Sequence, residues 1–218
     1  MSTEAAARRR AKVIGLVGRA GSGKTTFADA LRARGARIIE ADRIGHRVTD
    51  TDPDVRAALE DEYGPGVYRP DGTLDRGRVA ESVFEDREAR RRLDALVHPR
   101  LVADLRRAIA EALADPAVPL VLVDAALMLE WGLDRECDLV VAVVAPEADQ
   151  IARLVAARGW SPAHARRRLE VQRSNEQFAQ QADVVVSNDA GIDALLARAD
   201  ALFDEWTGAR RARHADRG

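Results

Sequence analysis

Residues Gly18-Arg19-Ala20-Gly21-Ser22-Gly23-Lys24-Thr25 constrain this chain more than any other stretch. Gly, four residues, then Gly-Lys-Thr is moderately specific alone, but here an apolar run from Lys12 to Val17 precedes it and a helical pattern follows. Strand, glycine turn and helix N-terminus in that order make a phosphate cradle. Gly18, Gly21 and Gly23 permit positive φ and close backbone approach, so successive N–H groups can turn inward toward phosphate oxygens. The helix N-terminus adds positive potential there. Ser22 belongs to the same loop, Lys24 is placed to reach the β- and γ-phosphates, the Thr25 hydroxyl to coordinate Mg2+, and Thr26 to touch the α-phosphate. Arg19 and Ala20 read as loop fillers.

Short β-branched runs recur at Lys12 to Val17, Arg37 to Ile39, Leu120 to Val123, Leu139 to Val144 and Val184 to Val186, separated by stretches of helical period. That alternation predicts an α/β fold with a parallel sheet covered by helices on both faces. Gly35 reads as the C-cap of the helix opened by Thr25, and Ser161-Pro162 as the N-terminus of an Arg-rich helix. A run from Ile192 to Trp206 predicts a closing helix.

The second and third strands are separated by far more chain than one crossover helix needs. The spacing predicts a helical substrate-binding insert over 45–115, with helices at Pro53 to Tyr63, Arg76 to Phe84, Arg87 to Val97 and Pro99 to Ala114, and a turn-rich break from Gly64 to Leu74. The whole reads as one domain over 12–207 with a lid over 150–181, flanked by flexible tails at 1–11 and 208–218.

With 34 basic and 36 acidic residues the formal charge is −2, so no global field favours nucleic acid or an anionic membrane. Cys137 is the only cysteine, which excludes an intramolecular disulfide and a multi-thiolate zinc site and suits a reducing cytoplasm. No segment is apolar for long enough to span a bilayer. Small-molecule partners and a monomeric state are the expectation.

No Asn-Lys-x-Asp segment follows a later strand, which makes ATP the expected nucleotide rather than GTP. Asp42 sits just past the second strand, where a carboxylate in an open parallel sheet can orient or deprotonate an attacking hydroxyl, or hold Mg2+ through water. The same residue could instead cap a helix beginning at Arg43 or Ile44. Asp124 ends the apolar strand Leu120 to Val123, a Walker B-like pattern that serves Mg2+ or caps the next turn. Arg153, Arg158, Arg166, Arg167 and Arg168 fall on successive helices joined by Gly159, a lid-like arrangement of guanidinium groups suited to transferring charge, although Arg166 and Arg167 read better as a solvated face.

In order along the chain, Gly18 to Thr26, Glu40-Ala41-Asp42, Asp71-Gly72-Thr73-Leu74-Asp75-Arg76, Val83-Phe84, His98-Pro99, Asp124 to Glu130, Cys137-Asp138, Arg158 through Arg168 and Gln172, Ala182-Asp183 and Val186-Ser187-Asn188 resemble the dephospho-coenzyme A kinase family. The resemblance runs from about Val13 to Trp206. It implies a nucleotide-kinase-like P-loop fold with a five-stranded parallel core, a helical substrate unit and a lid. It also implies transfer of the ATP γ-phosphoryl group to the ribose 3′-hydroxyl of dephospho-coenzyme A, with Lys24, Asp42 and Arg158 catalytic. Arg76, His98 and Arg168 are implied substrate contacts, Asn188 a nucleotide contact, and Thr25 and Asp124 the Mg2+ ligands.

Departures from the family are Glu40 for Asp, Ala126 for Pro, Leu129 for Phe, and Ser174 and Phe178 for a Pro and a basic residue. They predict a looser strand-end loop and weaker lid contacts with phosphate. Kinases of another nucleoside or small metabolite, and an ATP-binding regulator with a degenerate lid, are the alternative readings.

Overall fold

The computed structural model describes residues 11–84 and 87–208. The anticipated tails, 1–11 and 208–218, fall almost wholly outside them. In chain order the elements are β1 (Lys12–Val17), α1 (Lys24–Ala33), β2 (Arg37–Glu40), α2 (Ala41–Thr51), α3 (Pro53–Tyr63), α4 (Arg76–Phe84) and α5 (Arg87–Ala114). They are followed by β3 (Leu120–Asp124), β4 (Leu139–Val144), α6 (Glu147–Arg158), α7 (Pro162–Glu170), α8 (Asn175–Gln181), β5 (Val184–Ser187) and α9 (Ile192–Thr207). All the strands anticipated from sequence form, three of them one residue longer at the C-terminal end.

The strands make one sheet of order β2-β3-β1-β4-β5, in which β1 pairs parallel with β3 and β4, and β4 with β5. Alternation along the buried strands feeds both faces. Ile14, Leu16, Leu120, Leu122, Val141 and Val143 join α1 (Phe27, Ala28, Leu31) and α9 (Leu195, Ala199, Leu202, Phe203, Trp206) in one core cluster. Each fully buried large side chain there contributes about 1.5–3 kcal/mol. On the other face Gly15 is covered closely: a Cβ there would sit 2.5 Å from Met128 Sδ and 3.2 Å from Cys137 Sγ.

An aspartate immediately precedes each of β4 and β5. Asp138 Oδ2 accepts from the Val13 amide at 2.7 Å while its own N–H donates to Val13 O at 2.8 Å, and Asp183 treats Val140 in the same way at 2.7 and 2.9 Å. Amides at the start of a buried strand must be paired, and these aspartates pair them. That is the physical role of Cys137-Asp138 and Ala182-Asp183. α1 ends as Gly35 predicts: Ala36 N–H donates to Leu31 O at 3.0 Å and Gly35 N–H to Arg32 O at 2.9 Å, with Gly35 at φ 97°.

The chain divides into two compact units, one formed by the described residues up to Ile39 together with those from Ile109 on, the other Glu40–Ala108. Within the second, Asp52 Oδ1 accepts from the Asp54 and Val55 amides and Pro53 opens α3. The break from Gly64 to Leu74 is a short 3-10 turn at Pro65–Val67 followed by a Tyr68–Leu74 bridge. Arg56 lies over the Tyr68 ring at 3.8 Å and donates to Asp50 O and Gly72 O, both at 2.7 Å, while Tyr68 Oη donates to Thr49 O at 2.8 Å.

Two local expectations are corrected. The break at His98-Pro99 does not occur, because α5 runs unbroken through Pro99. Proline forfeits the bond to the Ala95 carbonyl, a cost of about 3 kcal/mol. The buried side chains Leu101, Val102 and Leu105 on the following turns hold the helix together. Asp42 does not cap a helix starting at Arg43 or Ile44 either: α2 begins at Ala41 with Glu40 as N-cap, so Asp42 lies exposed in the first turn, favourably placed in the helix dipole.

Candidate active site

β1 delivers the chain into the loop Gly18–Gly23, and α1 leaves it. Gly18, Gly21 and Gly23 all have positive φ, at 142°, 73° and 106°. No side chain among the described residues caps α1, so its first-turn amides stay available to an anion.

An anion cradle needs its carbonyls turned away as much as its amides turned in, and here the carbonyls are tied back. Arg153 Nη1 donates to Gly21 O at 3.2 Å and Ser22 O at 3.4 Å, and its Nη2 donates to Asn188 O at 3.1 Å. Asn188 Nδ2 also donates to Ser22 O at 2.8 Å, and Asn188 is 6% exposed. Lys24 Nζ donates to Gly18 O at 2.9 Å and Arg19 O at 3.4 Å, which holds its ammonium across the loop. Within the loop the Ser22 hydroxyl is buried and has no hydrogen-bond partner among the described residues. Asn188 and Arg153, foreseen as a nucleotide contact and a lid arginine, thus spend their side-chain donors on the loop's shape.

Arg19 and Ala20 are not fillers. Arg19 is 6% exposed; its Nη1 donates to Glu147 Oε2 at 3.0 Å and its Nη2 to Leu169 O at 2.8 Å. The Ala20 amide donates to Gln172 Oε1 at 2.9 Å, and the Ala20 side chain packs against the Leu154–Ala165–Leu169 cluster. These partners lie more than a hundred residues away in sequence, and the motif leaves both positions unrestricted, so local reading had no signal for them.

Asp124 ends β3 in register with Leu16 of β1, two residues before the loop begins, and Thr25 is exposed on the first turn of α1. The loop after Asp124 is well tied: Ala125 N–H donates to Leu16 O, Met128 N–H to Ala125 O and Trp131 N–H to Leu127 O. Main-chain bonds rather than the Ala126 and Leu129 side chains supply these ties. Cys137, nearby, has its thiol pushed up to about 12 by burial and by the carboxylates of Asp134, Asp138 and Glu136.

At the end of α6 Arg158 lies over Trp160 at 5.3 Å, and beyond Gly159 the side chains of Arg166, Arg167 and Arg168 are exposed on α7. Ser174 and Phe178 build α8: Ser174 and Gln177 form a reciprocal capping box, and Phe178 is 4% exposed.

In the other unit Arg76 Nη2 donates to both Asp50 carboxylate oxygens at 2.9 Å, to Thr49 Oγ1 at 3.0 Å and to His46 O at 3.1 Å. Burial pushes the Asp50 carboxyl up, but the Leu74 amide and the Arg76 guanidinium outweigh it and hold the group below its ordinary value. Arg76 therefore binds α2 to α4. His98 lies half-buried in the middle of α5.

The comparisons agree with this geometry. The family model for dephospho-CoA kinase matches residues 12–194. A dephospho-CoA kinase from Salinibacter ruber is 39% identical over 195 residues, covering 89% of this chain and 98% of that protein. Among solved structures, TT1252 from Thermus thermophilus superposes with a TM-score of 0.77 at 27% identity, covering 90% of this chain and 98% of that one. A Campylobacter jejuni dephospho-CoA kinase shares the fold, with a TM-score of 0.70 at 20% identity over 91% of this chain and 98% of its own. The family model over residues 12–194 and a relative 39% identical along 98% of its own length place the chain in the dephospho-CoA kinase family.

Proposed function

We propose that this protein transfers the γ-phosphoryl group of ATP to the ribose 3′-hydroxyl of dephospho-coenzyme A. The observation that carries the reading is the loop Gly18–Gly23, whose Gly21 and Ser22 carbonyls are tied by Arg153 and Asn188 and across which the Lys24 ammonium is held, in a chain of this family. A loop braced in this way is positioned to receive a triphosphate, and phosphoryl transfer chiefly needs positioning and charge stabilisation.

In this account the loop amides and the Lys24 ammonium grip the β- and γ-phosphates. The Asp42 carboxylate orients the 3′-hydroxyl and takes its proton as the new O–P bond forms and the bond from the γ-phosphorus to the ADP oxygen breaks. Arg158 and Arg168 offset charge spreading over the transferring oxygens. Oxygen donors suit Mg2+, and the exposed Thr25 hydroxyl and the Asp124 carboxylate, both beside the loop in sequence or register, fit it; Mg2+ would neutralise phosphate charge there. The insert 45–115 serves the acceptor, with His98 as a contact and Arg76 shaping the unit, and 150–181 serves as the lid. A monomer working in the cytoplasm completes the reading. Among the described residues no helix is long and apolar enough to cross a membrane.

A substrate panel with mass detection of products tests this. Phosphorylated dephospho-coenzyme A, dependent on ATP and reduced ~10²–10⁴-fold in Asp42→Asn, is the expected result. Turnover on another nucleoside but not on dephospho-coenzyme A, or ATP binding without any acceptor-dependent turnover, would refute it.

A further inference from the structure

We infer that Arg19 and Gln172 form a latch that fixes the C-terminal turn of α7 to the phosphate loop, making Arg19 a positioning residue that acts through Arg168. The inference rests on the kinase reading above.

Nothing in the formation of a phosphate loop requires a cation at Arg19. Its side chain is 8% exposed, and Nε is buried with no hydrogen-bond partner among the described residues. A guanidinium in that state is costly to bury, and an apolar side chain of similar volume would be cheaper. What the residue gains is reach. One nitrogen takes Glu147, the first residue of α6, and the other takes Leu169 O, one of the last carbonyls of α7, which also accepts from the Gln172 amide at 3.0 Å. Three residues on, the Gln172 side chain accepts from the Ala20 amide. Two adjacent residues of the loop therefore hold two points on one turn of chain, across an apolar contact of Ala20 with Leu154, Ala165 and Leu169.

Arg168 immediately precedes the anchored carbonyl. On α7 the buried seam is Ala165 and Leu169, so Arg167 lies opposite it, while Arg166 and Arg168 flank it. Among the described residues Arg168 has no hydrogen bond or ion pair competing for its guanidinium. Fixing Leu169 to Arg19 thus fixes the backbone origin of a free cation with respect to the loop that holds the phosphates. Loss of the latch displaces that origin, and a misplacement of about 1 Å can lower a rate by ~10²-fold.

The test is steady-state kinetics of Arg19→Met, Arg168→Met and the double variant with ATP and dephospho-coenzyme A, each well below its own melting temperature. Arg19→Met is expected to lower kcat by roughly 10–100-fold with little change in the KM for ATP, and the double variant to be no slower than the slower single one. Multiplying effects, or an unchanged kcat in Arg19→Met, overturn the latch. Hydrogen exchange gives a readout that needs no acceptor: Arg19→Met is expected to speed exchange at the Ala20 amide and across α7 while leaving α9 unchanged. Unchanged exchange at both also overturns it. Absence of turnover in the unsubstituted protein would count against the kinase reading, and the exchange data would still decide the latch.

Discussion

Gly18→Ala separates backbone crowding from simple conformational strain. At φ 142°, Gly18 lies in a region that only glycine visits freely, so a side chain there costs about 1–3 kcal/mol. An added Cβ would also stand 2.3 Å from Val143 O. Val143 is 0% exposed in β4, in register with Val186, so its carbonyl cannot move aside without disturbing the sheet. Overpacking of that kind adds about 1–3 kcal/mol. Alanine stiffens the unfolded chain and returns about 0.4–1 kcal/mol, which leaves a net loss of ~2–5 kcal/mol. For a chain of this size that lowers the melting temperature by ~4–20 °C. Gly35→Ala is the control: φ is 97°, but the nearest atom is a Pro119 side-chain carbon at 3.8 Å, so strain acts almost alone. A net loss of about 1 kcal/mol is expected for it. Urea unfolding of both variants, followed by circular dichroism, decides the matter. Equal losses would refute the claim that the loop is pressed against the Val143 carbonyl.

The thiol of Cys137, pushed from its ordinary 9.0 to about 12, should carry roughly a thousandfold less thiolate in the folded protein, so alkylation near neutral pH should be slow until denaturant is added; fast native alkylation contradicts the burial. Asp50 has a folded value below its ordinary 3.8, so its contribution is complete above that pH and is lost as pH falls through the lower folded value. Urea midpoints should drop over that acid window in the unsubstituted protein, whereas Asp50→Asn should begin less stable and show a shallower acid slope.

The sheet was legible because buried parallel strands demand unbroken valine-rich runs, and Lys12 to Val17 and Leu139 to Val144 could hardly be anything else. The loop was legible because its glycines answer a backbone demand that no other residue meets. Pro99 misled because a local rule, proline ending a helix, yielded to packing at Leu101 and Leu105 that no local window contains. The contacts of Arg19, Gln172 and Arg153 stayed hidden for a related reason: apart from the Arg19–Glu147 pair they are made to main-chain atoms, which leave no signature in the sequence they belong to. Ser174 and Phe178, where the family has a Pro and a basic residue, serve α8 itself, the one as its N-cap and the other as its buried side chain. A helix start shifted by two residues changed Asp42 from a possible cap to an exposed first-turn carboxylate.

The most direct measurement is calorimetric titration of ATP with Mg2+ into the unsubstituted protein and Lys24→Met, paired with ADP release in the presence of dephospho-coenzyme A. The account predicts saturable binding by the unsubstituted protein and a turnover lower by roughly 10²–10³-fold in Lys24→Met. No heat of binding in the unsubstituted protein, or full turnover without the Lys24 ammonium, would contradict it.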